Sequence, residues 1–269
     1  MRKQIRALGS ASFLLFAVFA LHGNTQPTAE TIIQNSLKAN AVDWKAMPDY
    51  DCFERDQQPD GSTKTYDDLM ILGSPYERLV AINGKKLSAA ESAQEKQKLQ
   101  AEVAKRRHES PQQRQERISS YEKGRKRDYQ MMDQLIKAFN FTLLGEQKLG
   151  SNEVYVLKAT PRPDYRPPNM DTQALKGMQG KLWIDKNTFQ WVKVEAHVIH
   201  PVSIEGFLAE VEPGTRFELD KGPVADGMWF PTHYAMTARA KILFFIPHKT
   251  YDDETYYDYH KSPGITGLE

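Results

Sequence analysis

The sequence predicts an α+β fold built on one curved antiparallel sheet, and three observations carry that reading. An amphipathic segment with Ile32, Ile33, Ser36, Leu37 and Asn40 at helical spacing precedes all strand signals. Strand-and-turn patterns then fill two stretches, 50–87 and 139–260, on either side of a charged segment at about 88–130. The residues from Trp191 to Val198 alternate as a strand with one buried face does. The first stretch is too small to bury both of its faces alone, so both stretches are expected in one sheet. Helices that cover a curved sheet incompletely leave an apolar cavity, which is the default ligand site.

The first helix opens at Pro27-Thr28-Ala29-Glu30, with Thr28 placed to cap it, and ends by Met47-Pro48. Residues 51–55 and 64–72 flank Pro59-Asp60-Gly61-Ser62 and read as a hairpin. Residues 76–82 follow, and Asn83-Gly84 supplies a tight turn before Lys85-Lys86-Leu87. From Ser88 to about Arg127, Glu, Gln, Lys and Arg dominate and Ser110-Pro111 divides the stretch, so two solvated helices with a thin stripe of Leu99, Val103 and Ala104 are expected. The basic run 123–127 reads as a solvated face. A more apolar helix, with Met131, Met132, Leu135, Ile136 and Phe139 in register, comes next.

Strands are expected at 139–144 and 153–159. A Pro-rich loop at 161–178 precedes a second hairpin, 180–185 with 190–198, in which Val192, Val194, Ala196 and Val198 face the core. Further strands are expected at 207–211, 214–219, 227–239 and 241–245. The last strand, Thr250 to His260, carries Tyr251, Tyr256, Tyr257 and Tyr259 and suits an edge.

Residues 1–25 have the composition of a secretory signal peptide. Arg2, Lys3 and Arg6 precede an apolar run from Ala7 to Leu21, shorter than the roughly 20 residues of a membrane-spanning helix. No Cys follows that run, so no N-terminal lipid anchor is expected, and the chain is read as exported and periplasmic with at most peripheral membrane contact. The remainder, 26–269, is expected to be a single domain. Without residues 1–25, which hold three basic and no acidic residues, the net charge of +1 becomes −2, giving no footprint for nucleic acid. The single cysteine, Cys52, excludes an internal disulfide and is expected to be buried and inert.

Catalytic patterns are missing from the sequence: no nucleophile elbow, phosphate-binding Gly loop or His-Glu-x-x-His occurs. His197 and His200 are spaced for a shared helical face, but they sit on or beyond a strand that parts them, so no metal is expected. Asp252-Asp253-Glu254 reads as a solvated turn, and Asp67 and Asp68 point to opposite faces of a strand.

Gly84-Lys85-Lys86-Leu87-Ser88, Gly180-Lys181-Leu182-Trp183-Ile184-Asp185, Trp191-Val192-Lys193-Val194-Glu195-Ala196, Gly227-Met228-Trp229-Phe230-Pro231 and Tyr257-Asp258-Tyr259 together resemble the LolA/LolB-like superfamily of periplasmic lipoprotein-sorting proteins. The resemblance runs through most of 28–260. It implies an unclosed, strongly curved antiparallel β-barrel covered by helices, with a cavity for acyl chains. It also implies an arginine that holds the helical lid, for which Arg78 is the candidate.

The expected function is therefore binding or carriage of a lipid or of an acylated protein, with no catalysis and no cofactor. The alternative is an envelope protein–protein interaction module that uses the curved sheet or the Tyr-rich edge at 251–259 for strand addition. Strand alternation selects the cavity lining as Phe53, Met70, Leu72, Leu79, Leu135, Phe139, Phe141, Leu157, Leu182, Ile184, Val194, Phe207 and Met236.

Overall fold

The computed structural model describes residues 26–204, 209–242 and 246–264. The signal-like segment 1–25 and Phe207 lie outside the described residues.

Helix α1 spans Ala29–Ala46, and the Thr28 hydroxyl accepts from the Thr31 amide at 3.2 Å, satisfying one orphan donor of the first turn. Strands β1 (Tyr50–Gln57), β2 (Thr63–Ile71), β3 (Ser74–Ile82) and β4 (Lys85–Lys86) form the first meander. Asn83 and Gly84 both have positive φ (52° and 70°), the requirement of the tight hairpin turn that this dipeptide serves.

Helix α2 (Ala89–Arg107) opens with a capping box between Ser88 and Glu91, and α3 (Pro111–Ala138) opens with another between Ser110 and Gln113. The expected break after residue 127 does not exist. The Met-rich segment is the last part of α3, because no Pro interrupts the ladder and an isolated Gly124 costs only about 1 kcal/mol in a helix interior.

Strands β5 (Phe139–Leu149), β6 (Asn152–Pro161), β7 (Met178–Asp185) and β8 (Trp191–Val198) follow, then β9 (Val202–Ile204), β10 (Ala209–Val211) and β11 (Arg216–Pro223). The chain finishes on two long strands, β12 (Trp229–Ile242) and β13 (Ile246–Lys261). Arg239 to Ile242 continue β12, so the start of the strand expected at 241–245 belongs to it, and residues 243–245 lie outside the described residues.

Among the described residues all strands join one antiparallel sheet in the order β4-β3-β2-β1-β13-β12-β11-β8-β7-β6-β5, with β10 attached to β12 and β9 to β10. β4 and β5 end the path without pairing to each other, so the barrel is curved and unclosed. The Tyr-rich strand is no edge. β13 pairs with β12 on one side and β1 on the other, which uses up the backbone groups that strand addition needs.

Register fixes which side chains share a face. Leu182, Val194, Leu219, Tyr234, Glu254, Asp56 and Lys64 are successive direct partners across β7, β8, β11, β12, β13, β1 and β2. We call the face they share the inner face. Ile32, Ile33 and Leu37 of α1 and Met131, Met132, Leu135 and Ile136 of α3 pack there against Phe139, Tyr155, Leu157, Leu182, Ile184 and Trp191. The full burial of Ile32 and Ile33 alone contributes about 1.5–3 kcal/mol each. Helix α2 covers the opposite face, where Leu99 and Val103 pack on Leu69 and Ile71.

A β-bulge corrects the expected facing of β8. Leu182 pairs with Val194 and Trp183 with Lys193, but Ile184 pairs with Trp191, leaving Val192 as the extra residue. Trp191 thus joins the inner cluster, while Val192 packs outside with Val154, Val156, Trp183 and Trp229.

Candidate functional site

The inner face brings together most of the residues selected from alternation. Phe139, Leu157, Leu182 and Ile184 are buried in one cluster, with Leu135, Phe141 and Val194 packed against it. Met70, Leu79 and Met236 also point inward by register, at Asp68 plus two residues, opposite Tyr66, and opposite Phe217 respectively. Two are placed elsewhere. Phe53 pairs with Asp67 on the outer face and stacks on Tyr257 at 5.6 Å, one residue out of register with the inward Cys52 and Glu54. Leu72 occupies the β2–β3 turn with φ 48° and packs against the cluster under α2.

Helix α1 changes character along its length. Its first half is held by apolar burial, but its second half turns Ser36, Asn40 and Asp43 to the sheet, all at most 2% exposed. Trp191 Nε1 donates to the Ser36 hydroxyl at 3.2 Å. Lys221 Nζ donates to Asn40 Oδ1 at 2.5 Å and to Asp43 Oδ2 at 3.3 Å. Burial pushes Lys221 down to about 8, against the attraction of Asp43, and it raises Asp43 despite Lys221. Arg125 of α3 stacks over the Trp44 ring at 4.1 Å and donates to the Trp44 carbonyl, tying the two helices together.

Arg78 is not a lid arginine: its guanidinium pairs with Asp67 on the outer face. The arginines that bind helix to sheet are Arg106 and Arg117. Arg106, 5% exposed, donates through Nη1 to the Ile71 and Ser74 carbonyls, both at 2.8 Å, and through Nη2 to Pro75 O at 3.1 Å. Its Nε donates to Glu102 at 2.7 Å. Arg117 donates to the Ser74 hydroxyl at 2.7 Å and to both carboxylate oxygens of Glu109, holding that carboxyl below the usual range. The tight turn they grip needs Gly73 at φ 90°, and a Cβ there would lie 3.1 Å from Ile118 Cδ1. Sequence spacing contained a signal for Arg106, since it continues the stripe of Leu99 and Val103 by three residues.

Beyond the helices, the inner face is acidic where β13, β1 and β2 meet. Glu54, Asp56 and Glu254 each place an oxygen within 4.8 Å of the others. Asp68 lies across from Cys52, whose Sγ is 4.0 Å from Asp68 Oδ2. Burial, then the neighbouring Asp56 and Asp68 carboxyls, raises Glu54, and burial raises Asp68 and Glu254. Burial beside these carboxyls pushes the Cys52 thiol up to about 12, which keeps it protonated and a poor nucleophile. Tyr256 donates to Glu254, and burial raises both Tyr256 and Tyr259. The run 252–254 is therefore strand rather than turn: Glu254 points inward, whereas Asp253 points outward, 3.1 Å from His233 Nε2. His197 lies beside Gln179 at 2.9 Å, and His200 follows the end of β8.

Two surface hollows, of about 330 and 410 Å³, are lined by residues outside the selected set. The smaller lies along Glu195–His197 and Arg216–Glu218, the larger between the Pro-rich loop and His200–Ser203.

No protein-family model and no curated sequence matches the chain. Solved structures do. A LolA superfamily protein from Nitrosomonas europaea is 12% identical over 88% of this chain and 94% of its own, at a TM-score of 0.32. An outer membrane lipoprotein-sorting protein domain from Vibrio parahaemolyticus is 14% identical over 87% and 94%, at 0.29. MucB in complex with MucA(peri) is 11% identical over 87% and 99%, at 0.23. The chain is thus similar, at low identity and low structural score, to solved proteins of the LolA superfamily.

Proposed function

We propose that the protein is a periplasmic, non-catalytic binding protein that carries a lipid or a lipoprotein acyl chain on its inner face, beneath α1 and the end of α3. In the same proposal residues 1–25 are a signal peptide and 26–269 are one domain with α2 and most of α3 inserted. The observation that supports the reading is the mixed attachment of α1. Its second half meets the sheet through Ser36, Asn40 and Asp43, bonded to the Trp191 indole and the Lys221 ammonium, rather than through an apolar stripe. Polar contacts of this kind are exchanged for water when that end of the helix lifts, so a ligand chain can enter beside Trp191 and extend toward Leu182 and Ile184 of the same cluster. Each buried CH₂ of that chain contributes about 0.8 kcal/mol. Among the described residues no helix is long and apolar enough to cross a membrane.

Protein isolated from its native envelope, extracted with organic solvent and examined by mass spectrometry, is expected to release a stoichiometric acyl lipid. Purified protein is expected to bind a fluorescent fatty acid, and Leu182→Trp to abolish that binding at a cost in stability of about 1–3 kcal/mol, with circular dichroism showing that the variant is still folded. Absence of extracted lipid together with absence of probe binding refutes the proposal.

A further inference from the structure

The inner face changes from apolar to acidic along a single rung of the sheet. Leu182, Val194, Leu219 and Tyr234 lead directly to Glu254 and Asp56. The neighbouring inward rung repeats the change, with Ala196, Phe217 and Met236 leading to Asp252. Val194 and Leu219 touch the cluster under the helices, whereas Phe217, Tyr234 and Met236 lie past it and stay half-exposed, with Phe217 and Tyr234 edge to face at 5.7 Å.

The acidic side gathers four carboxyls that share protons and hydrogen bonds among themselves and with Tyr256 rather than pairing with cations. Among the described residues Glu54, Asp56, Asp68 and Glu254 form no ion pair, and Asp56 Oδ1 and Asp68 Oδ1 are fully buried without a hydrogen-bond partner. Lys221, the buried cation of the inner face, is already held by Asp43. The groups facing the cluster are Cys52 on β1, Lys64 and Tyr66 on β2, Glu77 on β3, Tyr234 on β12, and Asp252, Tyr256 and Tyr259 on β13. Lys64 is the one basic group among them. A half-exposed apolar strip ending at carboxyls that no cation among the described residues pairs with is complementary to an apolar chain ending in a cation.

We propose that this junction binds a single-chain amphiphile with a cationic amine head, the chain lying on Val194, Leu219, Phe217 and Met236 and the ammonium seated among Glu54, Asp56 and Glu254. This rests on the inner-face binding reading and adds a head-group preference to it. Burial keeps part of the cluster protonated before binding, and an ammonium beside it favours the carboxylates, so binding near neutral pH releases protons.

Calorimetric titration of the whole protein with dodecylamine, dodecanol and dodecanoate, each below its micelle or solubility limit, tests the proposal. The amine is expected to bind at least about tenfold tighter than the alcohol, with the anion weakest. Its apparent heat should change between buffers of different ionisation enthalpy. Glu54→Gln/Asp56→Asn is expected to reduce the amine to the level of the alcohol and leave the alcohol unchanged; Glu254→Gln gives the same test in a single substitution. If dodecanoate binds as tightly as dodecylamine, or if both variants keep the amine preference, the head-group inference falls while the inner-face reading stands. If none of the three ligands binds, the head-group inference falls, and the inner-face reading falls with it when no lipid is extracted either.

Discussion

The Lys221 ammonium lies 3.3 Å from the Asp43 carboxylate, with the two side chains only 8% and 2% exposed. Removing one member strands the other without a counter-charge in the interior. Lys221→Met is therefore expected to lower stability by about 3–5 kcal/mol at pH 7. The double variant Lys221→Met/Asp43→Leu should recover most of that loss, because an apolar pair has no desolvation cost. Urea denaturation of the four proteins in the cycle measures the coupling; additive losses would show that the two groups do not act as a pair.

Arg106 satisfies three backbone carbonyls around the turn between β2 and β3. Arg106→Ala leaves buried acceptors unpaired and is expected to cost about 2–4 kcal/mol. Amide exchange should then accelerate through residues 71–75 and along α2 more than in β6 or β7. Uniform acceleration across the sheet would show that the arginine does not act locally.

Leu182 is 4% exposed within the cluster beneath α1 and α3. Leu182→Ala is expected to destabilise the protein by about 2–5 kcal/mol when no ligand is present. Chemical denaturation of delipidated protein checks this; a loss well under 1 kcal/mol would mean that the space around Leu182 is loosely filled.

Stability should fall as pH rises from 5 to 7. Glu54 is raised by burial and by its carboxyl neighbours, and Asp43, Asp51, Asp68 and Glu254 are raised chiefly by burial. An acid whose folded value lies above its unfolded one stabilises the fold fully below the unfolded value, near 4 for a carboxyl. That contribution is lost as pH climbs through the folded value. Lys221, lowered to about 8, changes stability only above that pH and so does not oppose the trend in this window. Thermal melts should show Tm declining toward pH 7, by roughly 2–4 °C for each kcal/mol lost. Glu54→Gln should flatten the curve; a slope unchanged by that variant would assign the dependence to other groups.

Local periodicity made most elements legible. Thr28 capping and the hairpins around 58–62 and 83–84 follow from cap and turn residue types, and the burial of Leu157, Leu182 and Ile184 follows from a spacing of 2. Three features were hidden for physical reasons. The bulge at Val192 inserts one residue and exchanges the faces of Trp191 and Val192, which alternation alone cannot register. The central position of β13 is a long-range pairing, while its Tyr and carboxylate content imitates a solvated edge; Tyr256 and Glu254 instead face the inside of the barrel. Arg106 carries a full charge, so in sequence it reads as solvent-facing, although its position continues an apolar stripe. The acidic cluster was dispersed among β1, β2 and β13, and only their adjacency assembles it.

The pairing of β1 with β13 has a kinetic consequence. Tyr50 lies opposite Lys261, so the first described strand acquires its second neighbour only from the last described one. During synthesis the meander β1–β4 emerges early with one flank unsatisfied, and it waits for more than 150 residues before closure is possible. Closing so long a loop is entropically costly and slow. The chain therefore stays incompletely folded until its C-terminal end is available, and a truncation that removes β13 leaves two open half-sheets with exposed edges prone to self-association.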